Sequence, residues 1–98
     1  MKLLVDDTRG FEDVDMIVRD PLLAKEVITV FGDTITHLYL DNDMGATIEG
    51  WELLNWILRN SVPIPNVQLV TSNSSAAGRM ELALENYGYI KKGAWWVY

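Results

Sequence analysis

The chain has no cysteine and a single histidine among its 98 residues. Without thiols it has neither disulfides nor a thiolate metal site, which fits a reducing compartment. Basic residues are also scarce: eight Lys and Arg stand against fourteen Asp and Glu, for a net charge of −6. Phosphate contacts dominate non-specific nucleic-acid affinity, so this balance excludes a general nucleic-acid binder. It still allows a nucleotide to be held through a metal or one local basic group. Long apolar runs are missing, and none approaches the roughly 18 residues of a membrane span. Met1-Lys2-Leu3-Leu4-Val5 runs at once into Asp6-Asp7, too short and too acidic for a secretory signal. Repeats, linkers and low-complexity tracts are absent. The expectation is one cytoplasmic domain over residues 1–98, with ordinary globular composition at 49% apolar and 22% charged and enough length for one modest core.

What is present alternates. Residues 2–5 read as a short buried strand, and Val14 to Val18 holds a second apolar run. Asp20-Pro21 is a helix start, Asp as N-cap and Pro at the first helical position. Leu22, Leu23, Val27, Ile28 and Phe31 continue it to Gly32. Thr36 to Leu40 is β-branched and aromatic, hence a strand. Trp51, Leu54, Ile57 and Leu58 recur at helical spacing through Arg59, and Pro63 and Pro65 follow. Val67 to Val70 is the next strand. Ser74 or Ser75 caps a helix that runs through Met80, Ala83, Leu84 and Tyr87 to Gly88. The segments Tyr89-Ile90 and Trp95 to Tyr98 are β-like. Such alternation predicts a mostly parallel sheet with helices on its faces. A crossover helix is lacking between the first two strands, where only Asp6 to Asp13 intervenes.

Two strands end abruptly in acid: Leu3-Leu4-Val5-Asp6-Asp7 and Leu38-Tyr39-Leu40-Asp41-Asn42-Asp43. In open parallel α/β sheets, ligands bind outside the carboxyl ends of the strands. If these strands are neighbours, their carboxylates converge there. Two like charges ~4 Å apart repel by roughly 4 kcal/mol at an effective dielectric of about 20, so a cation, a lysine or a proton must offset them. A hard divalent ion with oxygen ligands, Mg²⁺ or Mn²⁺, is the natural candidate. Acids that merely end strands and open turns are the plainer alternative. After the fourth strand, Thr71-Ser72-Asn73-Ser74-Ser75 places hydroxyls before a helix N-terminus, a setting suited to an anion and equally to simple capping.

In order and approximate spacing, Asp6-Asp7, Asp41, Thr71 and Lys92 resemble the receiver domain of two-component signalling. There an acidic pair follows the first strand, a phosphoacceptor Asp ends the third, a Ser or Thr the fourth and a Lys the fifth. A compact relative fits better. Asp6-Asp7-Thr8-Arg9, Asp41-Asn42-Asp43-Met44-Gly45, Gly50-Trp51 and Thr71-Ser72-Asn73 leading to Gly78-Arg79 are similar to the marks of the cyclic-phosphate-processing receiver domains. The likeness covers nearly the whole chain. It implies a flavodoxin-like three-layer sandwich with a five-stranded sheet in the order 2-1-3-4-5, the first helix reduced or absent. It also implies binding, and possible hydrolysis, of a nucleotide-like cyclic phosphate. Two family histidines are replaced, by Asn42 and Thr71. The remaining imidazole, His37, falls at the start of a strand, away from the acids.

These readings assign Asp6, Asp7 and Asp41 to the metal and Asp41, Asp43 and Lys92 to the chemistry. Arg9, Asn42, Thr71, Ser72, Asn73 and Arg79 are assigned to the phosphate-bearing ligand. Arg9 suits a phosphate clamp or an ion pair with Asp41 or Asp43. Two rivals are a phosphoacceptor receiver using Asp41 and a non-catalytic binding module. In Trp95-Trp96-Val97-Tyr98 alternate side chains face opposite ways, so one Trp is expected buried and the other exposed, a surface suited to a homodimer. The small size and lost histidines suit a phage or mobile-element accessory protein.

Overall fold

The computed structural model describes residues 1–10, 13–45 and 48–98. Its elements run β1 (Lys2–Val5), β2 (Met16–Val18), α1 (Pro21–Phe31), β3 (His37–Leu40), α2 (Gly50–Arg59), β4 (Asn66–Leu69), α3 (Ser74–Asn86), β5 (Ile90–Lys92) and β6 (Trp95–Val97). The six strands form one sheet in the order β2-β1-β3-β4-β6-β5. The first four run parallel, while β6 is antiparallel to β4 and to β5. The mostly parallel, flavodoxin-like α/β class holds.

The order differs from expectation at one end. Lys92 pairs with Trp95 across Gly93-Ala94, and Gly93 takes φ +63°, as two-residue hairpin turns require. A hairpin forces its strands antiparallel, so only one of the two takes the place beside β4. β6 offers Trp96, which joins the core at 4% exposure. β5 offers Ile90, Lys91 and Lys92, all exposed. The apolar strand goes inside and the lysine strand blunts the edge.

Register fixes which side chains share a face. Leu3 and Val5, Leu38 and Leu40, Val67 and Trp96 all point into one core with Ala24 and Ile28 of α1, Leu53, Leu54 and Ile57 of α2, and Met80 and Leu84 of α3. All three helices therefore cover the same face. The other face carries Leu4, Ile17, His37, Tyr39 and Trp95, with the Trp95 ring edge-on to His37 and Tyr39 at 5.1 and 5.0 Å. Among the described residues no helix packs there, so the expected third layer is lacking. The β1–β2 connection makes a parallel join, and its described residues carry no helix; residues 11 and 12 lie outside those described.

Local chemistry explains the helix ends. The Asp20 carboxylate accepts from the Leu23 amide at 2.9 Å, ahead of Pro21 in the first turn of α1. A reciprocal capping box joins Glu49 and Glu52 at the start of α2. Asn73, rather than Ser74 or Ser75, caps α3 by accepting from the Ala76 amide at 3.0 Å. Trp51 and Trp56 leave opposite flanks of α2: Arg79 of α3 lies 4.6 Å from the Trp51 ring and Lys25 of α1 lies 5.6 Å from that of Trp56. No helix among the described residues is long and apolar enough to cross a membrane.

Candidate functional site: an acidic triad at the strand ends

β1 and β3 are parallel neighbours with Val5 beside Leu40. The residues that follow, Asp6 and Asp41, leave the sheet at the same level, and the Asp41 amide donates to the Val5 carbonyl at 3.0 Å. Carboxylate oxygens of Asp6, Asp7 and Asp41 all lie within 4.8 Å of one another. Asp6 is fully buried and Asp41 nearly so. The Asp6 carboxylate is held by one oxygen: Oδ1 accepts from the Thr8 and Arg9 amides, both at 3.0 Å. Its Oδ2 is buried without a hydrogen bond; the nearest cation is Arg9 Nε at 3.8 Å.

An ionised carboxylate oxygen left bare in the interior costs about 1–3 kcal/mol or more. Burial, then the charges of Asp6 and Asp7, push the Asp41 carboxyl above the ordinary 3.8, with the Asn42 amide and Arg9 opposing. A buried triad with one orphaned oxygen matches the hard, all-oxygen donor set of a divalent cation, and the residues present fit such an ion.

Backbone geometry holds the triad in place. Gly50 opens α2 against the end of β3, and a Cβ on it would stand 1.8 Å from the Asp41 carbonyl oxygen. Only glycine allows that approach. Asn42, 4% exposed, accepts from the Gly50 amide through its carbonyl at 2.9 Å and from the Trp51 amide through Oδ1 at 3.0 Å. Its Nδ2 donates to Asp43 at 3.0 Å. Asn42 thus fastens α2 to the strand end.

The other predicted residues divide. Arg9 pairs with Asp6 rather than with Asp41 or Asp43, and its Nη1 donates to the Val70 carbonyl, so it spans from β1 to the end of β4. Asp43 Oδ1 accepts from Asn42 and, at 3.2 Å, from Asn73 Nδ2. This joins the loop after β3 to the loop after β4. Thr71 Oγ1 accepts from the Asn73 amide at 3.1 Å, and Ser72 is exposed beside it. Arg79 lies over Trp51. Lys92 does not join this group: β6 separates its strand from β4, and its pairing with Trp95 turns it to the face away from the helices. His37 starts β3, edge-on to Trp95, at the opposite end of the strand from Asp41.

Arg19 joins the site although no motif in the sequence singles it out. Arg19 Nη1 donates to the Asp6 carbonyl at 3.2 Å and to the Arg9 carbonyl, tying down the loop that carries Asp7 and Arg9. Its signal was its position: it follows β2 as Asp6 follows β1.

A parallel sheet whose first and third strands end in a buried acidic cluster, beside a capped Thr-Ser-Asn loop, defines a receiver-type domain. The chain belongs to the cyclic-phosphate processing receiver domain family, whose defining pattern matches residues 1–86. That span contains the whole triad, the Arg9 and Thr71–Asn73 loops and all three helices; the β5–β6 hairpin lies beyond it. No curated protein and no solved structure matches the chain.

Proposed function

We propose that the strand-end cluster binds a divalent cation, Mg²⁺ first, and through it a small molecule bearing a cyclic phosphate of the nucleotide type. The observation that carries this reading is the buried Oδ2 of Asp6, which accepts no hydrogen bond, within a triad of carboxylates. Asp6, Asp7 and Asp41 would hold the ion. When bound, such an ion polarises a phosphoryl oxygen and makes a coordinated water more acidic. Arg9, half-exposed at the rim of the triad, supplies bidentate donors to phosphate oxygens. Thr71, Ser72 and the first turn of α3 add neutral donors and a favourable helix dipole, and Asn73 and Arg79 flank them.

One observation favours binding over turnover. No imidazole stands at the cluster, since His37 lies a strand's length away, roughly 13 Å at 3.3 Å per residue. Asp43, which accepts two amide hydrogen bonds, serves better as a brace between loops than as a proton carrier. Lys92, on an outer strand, has no part in this reading. The phosphoacceptor alternative loses support with it, because a receiver uses that lysine beside the phosphorylated Asp. A dimer through the C-terminal aromatics would rest on Tyr98, 75% exposed, since Trp96 is buried and Trp95 packs edge-on against His37 and Tyr39.

Isothermal titration tests the proposal. The protein is titrated with Mg²⁺ and then, loaded, with cyclic mononucleotides, cyclic dinucleotides and cyclic ADP-ribose phosphates. Saturable Mg²⁺ binding and at least one metal-dependent cyclic-phosphate complex are expected. No binding of either, with Asp41 labelled by acetyl phosphate, would transfer the case to the signalling receiver.

A further inference from the structure

We propose that the outer edge of the molecule, made by β2 and α1, is where two copies of this chain meet. The inference is independent of the phosphate-binding reading. Helix α1 carries two apolar stripes. Pro21, Ala24 and Ile28 face the core and are buried. Leu23, Val27, Val30 and Phe31, at i, i+4, i+7 and i+8, make a second stripe within about 100° of arc. That stripe is on the flank away from Lys25, which leans on Trp56 of α2. It therefore looks outward from the edge of the domain, where α1 lies against β2. Leu23 is 49% exposed, Val30 73% and Phe31 42%. With Ile17 of β2 they make four of the nine large apolar side chains left exposed among the described residues. Scattered exposed apolar groups need no explanation, but a concentration on one edge does.

Among the described residues β2 is the last strand on its side of the sheet and none of them pairs with its outer edge, which leaves that edge to a further strand. The sequence around it is Asp15-Met16-Ile17-Val18-Arg19. If two such strands pair antiparallel about Ile17, Asp15 of each copy stands opposite Arg19 of the other, twice. Alternation puts Asp15, Ile17 and Arg19 on one face, so the two charge pairs flank an apolar Ile17–Ile17 contact. Opposite charges across a strand pair stabilise it, and like charges destabilise it. This self-complementarity selects a second copy over any other occupant, as a two-fold interface demands. Asp15 accepts from the Lys2 amide through Oδ2 at 2.7 Å and Arg19 reaches the Asp6 and Arg9 carbonyls through Nη1, which leaves Asp15 Oδ1 and Arg19 Nη2 and Nε for the contact. A stable interface takes roughly 800 Å² from each partner, and one side of the molecule measures about 28 by 26 Å. The contact must therefore engage both layers of the edge, strand and helix together.

Sedimentation from about 1 to about 500 µM, the range that reveals micromolar self-association, tests the proposal. The wild-type chain should reach twice its 11.1 kDa mass. Val30→Glu, at a position exposed enough to leave folding intact, should weaken the dimer at least tenfold. Asp15→Arg and Arg19→Asp should each be monomeric, with circular dichroism confirming the fold. Mixing these two should restore a dimer, because the mixed pair matches both charge contacts. A wild-type chain that stays monomeric would overturn the proposal. So would a dimer indifferent to Val30→Glu but lost in Tyr98→Ala, or a mixture that stays monomeric.

Discussion

Replacing Asp41 by Asn should stabilise the protein without metal and cost it the metal. The Asp41 carboxylate has oxygens within 4.8 Å of those of Asp6 and Asp7. At that separation and an effective dielectric of about 20, each like-charge pair repels by about 3.5 kcal/mol. Burial raises the cost of ionising Asp41 further, while Arg9 and the Asn42 amide return part of it. A net gain of about 2 kcal/mol for the neutral Asn follows, or about 10 °C in Tm for a chain of this size. The sign with pH is fixed by the raised carboxyl. Below 3.8 Asp41 is protonated whether the chain is folded or not. As pH rises past that value the unfolded chain ionises first, so the wild type loses stability up to its folded pKa. The variant has no such loss, and its advantage should appear above about pH 4 and persist at pH 7. Saturating Mg²⁺ reverses the ranking, since an ion at a hundred times its Kd adds about 2.7 kcal/mol to the protein that binds it. Thermal melts in EDTA and in Mg²⁺, from acid to neutral pH, measure all three effects. A lower Tm for Asp41→Asn in EDTA, or equal Mg²⁺ shifts for both proteins, would refute the reasoning.

Gly50→Ala should unfold or severely destabilise the chain, by more than about 3 kcal/mol, because its Cβ meets the Asp41 carbonyl at 1.8 Å; denaturant melts read this. Arg9→Ala should weaken phosphate binding at least tenfold yet tighten Mg²⁺ binding, since it removes the cation beside Asp6 Oδ2; titration of each ligand separately distinguishes the two. Tyr89, whose hydroxyl donates to the Ile64 carbonyl at 2.6 Å and is pushed by burial up to about 12, should tolerate Phe at a cost of about 1–2 kcal/mol with Mg²⁺ affinity unchanged, as urea melts and titration would report.

The triad was legible because its cause is local. An apolar run that stops at an acid marks the end of a buried strand, and two such strands in parallel register put Asp6 and Asp41 side by side. The helices were legible through their caps, Asp20-Pro21 above all. The misplaced residue, Lys92, has a physical explanation. Its local sequence fits a strand end equally well beside β4 or at the edge. The choice is made by competition between Trp96 and the lysines for the buried position, a tertiary effect. The local signal for the hairpin is the Gly93-Ala94 turn between Lys92 and Trp95. Asn42 and Asp43 stand among the candidate site residues through the family resemblance, and in the structure their side chains also make the hydrogen bonds that fix α2 and the β4–α3 loop. Contacts nine and thirty residues away leave no trace in spacing.

Anomalous diffraction from crystals soaked in Mn²⁺ tests the central claim most directly. The account predicts one strong peak at the strand ends, about 2.0–2.2 Å from Asp6 Oδ2 and from oxygens of Asp7 and Asp41, as hard divalent ions bind carboxylates. Crystals with no peak there at millimolar Mn²⁺, or with the ion elsewhere and Asp6 Oδ2 still bare, would contradict it.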